Sequence, residues 1–253
     1  METRRAVLIT GGARRVGAVL ARRFAADGWP VLIHYHRSSQ EACALAEEIR
    51  AAGGKAGIVG ADLADHEAVR GLVDAALAAA PDLGVLVNCA SLFDPDTPED
   101  PDPHHWREAM EVNALAPARL AADLHHRVEG GVVINILDQK LANPNPDYFS
   151  YTAAKAALAE VARMQAMAFG ARTRVICLSP GLMLPSGDQT AEEYAASSAM
   201  NLLGRPTTPE DLAQACLFAA SGALATGETI YVDSGQHLVP QTRDVMFLVR
   251  GER

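Results

Sequence analysis

The chain has 253 residues, of which 49% are hydrophobic but only 5% aromatic, and its formal net charge is −9. This composition allows one sizeable core of aliphatic side chains, and the acidic balance argues against nucleic acid as the main partner. The four cysteines are far apart and lack metal-binding spacing, which indicates free thiols in a reducing compartment. No stretch approaches the ~18 apolar residues of a membrane span, and the N-terminal apolar run is too short for a signal peptide. We expect a cytoplasmic protein without a membrane partner.

Short apolar runs alternate with helical stretches along the chain. Strands are predicted at residues 6–9, 31–33, 56–59, 85–87, 132–136, 175–178 and 229–232. Helices are predicted from Val16 to Gly28 and at residues 40–52, 66–79 and 150–169. Continuous apolar strands are typical of a sheet covered on both faces, and strand–helix alternation indicates parallel strands. We predict one α/β domain over residues 1–253, with a Rossmann-like, doubly wound sheet of about seven strands in three layers.

Two irregular segments interrupt this alternation. Residues 94–103 are rich in Asp and Pro and are predicted to form an exposed loop. Residues 182–201 follow the sixth strand, and we expect a substrate loop over about 182–204. Because ligands of such sheets bind beyond the carboxyl ends of the strands, both segments are candidates for a substrate pocket. The C-terminal tail, about residues 237–253, contains an apolar run at residues 245–248, and we expect this run to dock on a neighbouring subunit.

The turn at residues 10–17 places three glycines between a strand and a helix. Such glycines let the backbone approach a phosphate closely, and the helix N-terminus adds N–H donors. We therefore predict a dinucleotide site with contacts from Gly11, Arg15, Val16 and Gly17.

The end of the second strand indicates which dinucleotide binds. NAD sites usually place an acid about 20 residues after the glycine turn, whereas this chain has His36, Arg37 and Ser38 and no acid before Glu41. An arginine and a hydroxyl suit the 2′-phosphate of NADP, although the same residues can form a solvated basic loop. We predict that NADPH binds here. Asp62, after the third strand, is either an acceptor for the adenine amine or a helix cap.

Tyr151 and Lys155 are four residues apart, so one helix places them on the same face. A phenol with a pKa of about 10 is a poor acid unless a neighbouring cation stabilises its phenolate. We predict that Lys155 lowers the pKa of Tyr151 and that Tyr151 handles a proton in catalysis; the alternative is an ordinary surface pair. The histidine pairs at 104–105 and 125–126 suggest a metal, but adjacent helical residues do not share a face, and we predict no metal site.

The sequence resembles the short-chain dehydrogenases/reductases over nearly its whole length. The resemblance rests on Thr10, Gly11, Gly17, residues 88–90, Asn113, Tyr151, Lys155, Pro180, Gly181, and residues 226–227 and 232–235. It implies a Rossmann-like seven-stranded sheet, usually in a homotetramer, and a proton relay of Asn113, Tyr151 and Lys155. The cofactor contacts it implies further along the chain are Leu63, Asn88, Ala90, Lys155, Pro180 and Gly181.

Two departures from the family pattern are informative. Arg15 stands where the family has a third glycine, and Asp138 stands where the relay has a serine, thirteen residues before Tyr151. Both changes resemble the pteridine reductase branch, which includes bacterial dihydromonapterin reductases. The segment 34–38 and the residues Ser91 and Phe93 resemble that branch too. A third departure, Cys89 in place of the branch's asparagine, does not obviously disturb the chemistry.

These substitutions fit reduction of a C=N bond, in which hydride goes to carbon and a proton to nitrogen. Asp138 can pass a proton through Tyr151, whereas an ionised carboxylate would repel the oxyanion of a reduced ketone. Phe93 can stack on a flat ring, Arg15 can bind the polar edge of that ring, and Ser91 and Leu182 complete the predicted pocket. The structural alternatives are that Phe93 is a packed core residue and that Asp138 only caps a loop.

Three functions remain open at this point. The first is an NADPH-dependent pteridine reductase, acting on dihydropterins such as dihydromonapterin or dihydrobiopterin, with weak dihydrofolate reduction. The second is a ketone reductase of the same family, in which Phe93 and Asp138 only line the pocket. The third is a nucleotide-sensing module without turnover, against which the intact Tyr151–Lys155 pair argues.

Overall fold

One sheet of seven parallel strands forms the centre of the protein. The computed structural model describes residues 4–251, and the strand order is β3-β2-β1-β4-β5-β6-β7. The strands are β1 Ala6–Ile9, β2 Val31–Tyr35, β3 Ala56–Gly60, β4 Leu83–Asn88, β5 Gly131–Ile136, β6 Thr173–Pro180 and β7 Thr229–Val232. The strand order reverses between β1 and β4, and a crevice for ligands opens at the carboxyl ends of strands at such a point. The predicted Rossmann-like fold is confirmed.

Helices cover both faces of the sheet and give three layers. The helices are α1 Arg15–Ala26, α2 Ser39–Ala51, α3 His66–Ala79, α4 Pro103–Met110, α5 Ala116–Arg127, α6 Phe149–Phe169, α7 Ala191–Ser198, α8 Pro209–Ala220 and α9 Val245–Val249. One aliphatic core lies between the sheet and α1, α2 and α8, and a second lies between the sheet and α3, α5 and α6. This two-sided burial explains why the central strands are continuous apolar runs in the sequence. None of the helices within residues 4–251 combines the length and the hydropathy needed to cross a bilayer.

The helices α4, α5 and α7, which the sequence did not predict, lie in the long stretches between predicted strands. Residues 103–127 form α4 and α5, joined by one π-helical turn at Glu111–Leu115. Within the segment predicted to be irregular, α7 begins at a capping box in which Thr190 and Glu193 satisfy each other's backbone N–H groups. Residues 94–102 have no helix or strand and are largely exposed, as predicted.

The C-terminal segment folds back onto its own chain. Val245 and Met246 are 6% and 7% exposed, and Met246 packs against Tyr148 and Tyr151. Arg250 donates to both carboxylate oxygens of Glu193 on α7, at 3.0 Å each. Part of the apolar run is thus buried within the chain, and docking on a neighbouring subunit stays a prediction for its half-buried residues, Phe247 and Leu248.

Candidate active site

Close backbone contacts explain the glycines of the turn after β1. Gly11 has φ +62°, and a Cβ there would lie 2.9 Å from the Cα of Ala90. A Cβ on Gly17 would lie 2.2 Å from the carbonyl oxygen of Gly11. The position of Arg15 also favours glycine, since its φ is +48°, a conformation that costs about 1–2 kcal/mol for other residues. The Arg15 guanidinium donates to the carbonyl of Pro185 at 2.8 Å, which links the turn to the substrate loop.

Two polar residues to which the sequence assigned no contact, Thr10 and His34, hold this turn in place. The Thr10 hydroxyl accepts from the N–H groups of Cys89 and Ala90 at 2.9 and 3.1 Å. The buried ring of His34 accepts from Gly11 N–H at 3.1 Å through Nδ1, and Nε2 lies 3.1 Å from the Ala61 carbonyl. Burial lowers the pKa of His34 to about 4, so the ring is neutral and one nitrogen can accept while the other donates. The sequence signal for this role is that His34 is a polar residue inside an otherwise apolar strand.

The glycine turn borders a cleft of about 480 Å³. Its walls contain most of the predicted cofactor contacts, namely Gly11, Arg15, Val16, Gly17, His36, Arg37, Ser38 and Ala90, and also Ser91 and Phe93. The wall has an arginine and a hydroxyl at the end of β2 and no carboxylate, so the residues present fit the 2′-phosphate of NADPH. His36 lies 3.4 Å from Asp62, which forms a second layer behind the wall.

Six predicted cofactor residues do not line this cleft; Lys155 and Gly181 are described below, and the other four are engaged in contacts around it. Asp62 accepts from Ala64 N–H at 2.9 Å and shapes a turn, while the cap of α3 is Asp65. Leu63 is buried in the core beneath α3. The Asn88 amide donates to Asn135 at 2.8 Å inside the sheet, and Pro180 is buried at the end of β6. These side chains support the site from behind rather than facing it.

Asp138 and Tyr151 are joined directly at the carboxyl edge of the sheet. The Tyr151 hydroxyl donates to Oδ2 of Asp138 at 2.7 Å. The other oxygen, Oδ1, accepts from Lys140 N–H at 2.8 Å, which caps a short 3-10 helix. Lys155 lies one helical turn from Tyr151 and donates through Nζ to the Ile136 carbonyl at 2.7 Å. Its Nζ lies 5.8 Å from the centre of the Tyr151 ring.

Electrostatics of this group differ from the sequence expectation. Burial, reinforced by the Asp138 carboxylate, raises the pKa of Tyr151 well above its usual value. Burial also raises the pKa of Asp138 and lowers that of Lys155 to about 8. The prediction that Lys155 lowers the pKa of Tyr151 is wrong for this arrangement. The phenol is hydrogen-bonded to the carboxyl group of Asp138 and not to the ammonium of Lys155. Tyr151 is thus a neutral phenol at neutral pH.

Asn113 does not contact this group through its side chain. The residue is fully buried in the π-helical turn, and its amide accepts from Leu92 N–H and donates to Leu92 O, both at 2.8 Å. Since both ends of the amide are engaged, the side chain fixes the loop that carries Phe93. The predicted relay role of Asn113 would have to pass through its backbone.

Phe93 is a wall residue and not part of the core. Its ring is 39% exposed, stacks on Tyr148 with centroids 4.0 Å apart and meets Tyr151 edge-on at 4.6 Å. Tyr148 has φ +54°, and such strain is common where surrounding structure fixes a functional residue. Two aromatic partners therefore set the orientation of Phe93 at the mouth of the site.

A second hollow of about 190 Å³ adjoins the cofactor cleft. Both share the walls Arg15, Val16, Phe93 and Tyr151. The second hollow is lined further by Asp138 and Leu182, which were predicted to bind the substrate, and by Gly181, which was predicted to contact the cofactor. It is also lined by three residues that the sequence did not place at the site, Asp244, Val245 and Met246. We call it the substrate hollow. The last three residues were missed because the tail was assigned to a subunit contact.

The two histidine pairs are engaged in ordinary contacts. His105 lies 3.9 Å from Asp94, and His125 stacks on Phe169 and lies 3.0 Å from the Thr173 hydroxyl. Over residues 4–251, no three His, Cys, Asp or Glu side chains are grouped so that they could hold a metal ion.

Comparison with known proteins places the chain in a family. A family model described as Enoyl-(Acyl carrier protein) reductase matches residues 11–237, which are most of the chain. The protein belongs to the short-chain dehydrogenase/reductase family, as its sequence resemblance implied, and is an oxidoreductase of that family.

Individual relatives differ in what they are named for. FolM Alternative dihydrofolate reductase 1 from Brucella suis, solved in complex with NADP, superposes with a TM-score of 0.91 at 36% identity, covering 96% of this chain and 99% of its own. An uncharacterized oxidoreductase of Methylorubrum extorquens is 35% identical over 90% of this chain and 96% of its own length. 3beta-hydroxysteroid dehydrogenase 1 of Eggerthella lenta is 31% identical over 92% and 94%. The NADP in the Brucella structure agrees with the predicted NADPH cofactor.

Proposed function

We propose that the protein is an NADPH-dependent reductase of pteridines, acting on dihydropterins such as dihydromonapterin or dihydrobiopterin, with weak activity on dihydrofolate. The observation that carries this proposal is the 2.7 Å bond from Tyr151 to Asp138 on the wall of the substrate hollow. The similarity to a protein named an alternative dihydrofolate reductase supports it. A homotetramer and a cytoplasmic location stay predictions.

The proton chemistry of this pair suits a C=N bond. Bound NADPH supplies a hydride to the carbon, and the nitrogen then needs a proton. When Asp138 is protonated, a form that burial favours by raising its pKa, its contact with Tyr151 reverses and the acid donates to the phenol oxygen. Tyr151 then gives its proton to that nitrogen while Asp138 gives its own proton to the phenol oxygen. The Lys155 ammonium, held by the Ile136 carbonyl, stabilises negative charge on the pair after transfer. No full phenolate has to form beside a carboxylate.

The walls common to both hollows suit a flat polar ring. Phe93 offers an aromatic face whose orientation is fixed by Tyr148 and Tyr151, and aromatic rings stack well on heterocycles. Arg15 lines both hollows together with Phe93 and can donate to carbonyl or ring-nitrogen acceptors. A ring between these two side chains would have its reducible bond at Tyr151 and next to the cofactor cleft.

Oxidation of NADPH is the direct test. We expect rapid NADPH consumption with dihydrobiopterin or dihydromonapterin, much slower consumption with NADH, and little with a panel of ketones. The variant Asp138→Ser should lower pterin turnover, because a serine cannot return a proton to Tyr151 as a carboxylic acid does. Ketone turnover by the native protein without any pterin turnover would replace this proposal by the carbonyl reductase, which the steroid dehydrogenase relative favours.

A further inference from the structure

Two carboxylates line the substrate hollow, and they are engaged to different extents. Asp138 has both oxygens in hydrogen bonds, one with Tyr151 and one with Lys140 N–H. Asp244 uses Oδ1 to accept from Met246 N–H at 3.1 Å. Its Oδ2 accepts no hydrogen bond from any group within residues 4–251, and its ion-pair partner Lys140 is 3.9 Å away, beyond hydrogen-bond distance. Asp244 thus retains an acceptor for a ligand.

The position of Asp244 indicates which part of a ligand it meets. The reducible ring has to lie where the two hollows share walls, at Arg15, Phe93 and Tyr151. Asp244 lines the substrate hollow but not the cofactor cleft. A group that reaches Asp244 is therefore a substituent that points away from the nicotinamide side of the ring. Gln139 lines the same hollow, so the surroundings of the substituent are polar.

The backbone around Asp244 is held firmly. Asp147 accepts from Asp244 N–H at 2.6 Å and from Arg243 Nε at 2.9 Å. Asp244 itself caps the N-terminus of α9, and the Arg250–Glu193 pair ties the other end of α9 to α7. A carboxylate fixed in this way loses little entropy on binding a ligand.

We propose that Asp244 is a specificity-determining residue that accepts hydrogen bonds from hydroxyl groups on the substituent of the reduced ring. This inference rests on the proposed pteridine reductase function and refines it. An uncharged, hydroxylated side chain is favoured, because a hydroxyl can donate to the open oxygen. A substituent that carries carboxylates, such as the glutamate of dihydrofolate, is disfavoured because the Asp244 carboxylate lines the hollow and repels it.

The test compares two substrates that share a ring. Dihydrobiopterin has a dihydroxypropyl substituent, whereas 6-methyl-7,8-dihydropterin has none of its hydroxyls. Asp244→Ser keeps a good N-cap residue but shortens the side chain so that it no longer reaches the substituent. We expect the ratio of kcat/KM for dihydrobiopterin to that for 6-methyl-7,8-dihydropterin to fall at least tenfold, the loss typical of a hydrogen bond to a charged group. Asp102→Ser is the matched control, since Asp102 caps α4 through the same bond to the second following N–H and should keep the native ratio.

The outcomes separate this inference from the proposed function. If Asp244→Ser keeps the native ratio, or lowers kcat/KM equally for both pterins, the role of Asp244 is refuted while native turnover of 6-methyl-7,8-dihydropterin still supports a pteridine reductase. If the native protein reduces neither pterin, both proposals fail. A circular-dichroism melt of Asp244→Ser distinguishes an unfolded protein from a selective one.

A second variant, Asp244→Asn, keeps the shape and the helix cap but removes the charge. It should raise kcat/KM for dihydrofolate relative to that for dihydrobiopterin; a lower relative value would contradict the repulsion of carboxylate substituents by Asp244.

Discussion

The cofactor cleft and the substrate hollow share a wall but are built in different ways. Apart from Tyr151, the cleft takes its residues from three short runs, at 11–17, 34–38 and 89–93, each at the end of one strand. The substrate hollow draws on residues from 15 to 246, including the α9 segment. Short runs after strands carry a motif that is visible in the sequence, whereas a wall assembled from distant segments does not. The first region is therefore predictable in detail and the second only as a location.

The largest effect on catalysis is expected at Tyr151, which lines both the cofactor cleft and the substrate hollow. We expect Tyr151→Phe to lower kcat with dihydrobiopterin about 10³-fold, because the proton donor is lost, while the dissociation constant for NADPH changes less than about threefold. The ring stays, so the edge contact with Phe93 is kept. Pre-steady-state kinetics and fluorescence titration with NADPH give the two numbers. Equal losses in turnover and in NADPH binding would contradict a purely chemical role.

The second prediction concerns His34, which holds the glycine turn on the cofactor side and should make folding stability depend on pH. The unfolded chain binds a proton at the ordinary histidine pKa of about 6.5, whereas the folded pKa is about 4. Stability from this residue is therefore complete above pH 6.5 and is lost as the pH falls towards 4, by about 3 kcal/mol. Urea unfolding at pH 7.5 and pH 4.5 should show this loss in the native protein and a smaller one in His34→Gln. The exposed His104→Gln serves as the control and should behave as the native protein does.

Arg37 tests the chemistry of the cofactor side. We expect Arg37→Ala to weaken NADPH binding by about 2 kcal/mol, or roughly 30-fold, because a charge-assisted hydrogen bond to the 2′-phosphate is lost. NADH lacks that phosphate and provides the internal control, so its weaker binding should not change. Titrations at two salt concentrations measure both. Parallel losses for NADPH and NADH would show that Arg37 supports the loop and does not read the phosphate.

The strands could be predicted because burial on both faces leaves little choice of residue. The strand at Val132–Ile136 was predicted to within one residue of β5, and the helix at His66–Ala79 was predicted correctly. The helices at 103–127 were not predicted, because a proline and mixed polar residues obscure their apolar stripe. Local pattern gives secondary structure wherever one periodicity dominates.

The candidate site could be predicted only in part for a related reason. Tyr151 and Lys155 share a helix, so their spacing alone places them together. The partner of Tyr151 is Asp138, thirteen residues earlier, and only a family resemblance indicated it. Asp244 lies about a hundred residues from either and reaches the hollow because α9 folds back, which no local pattern shows. The sign of the Tyr151 pKa shift likewise depends on burial, which spacing does not reveal.

The smallest effect is expected at Arg250. A variant at this position asks whether substrate binding can be weakened without weakening cofactor binding. Its guanidinium makes a bidentate bond to Glu193 and another bond to Asp188, so it fastens α9 to α7. A partly exposed pair of this kind contributes little to overall stability, because solvent screens its charges. We expect Arg250→Ala to raise the KM for dihydrobiopterin about fivefold without a change in the KM for NADPH, because Val245 and Met246 line the substrate hollow and not the cofactor cleft. Arg163→Ala removes an exposed pair with Glu160 on α6 and is the matched control for loss of a surface arginine. If the KM for NADPH rises as much as that for the pterin, α9 supports the whole site, and the division between the two regions does not hold.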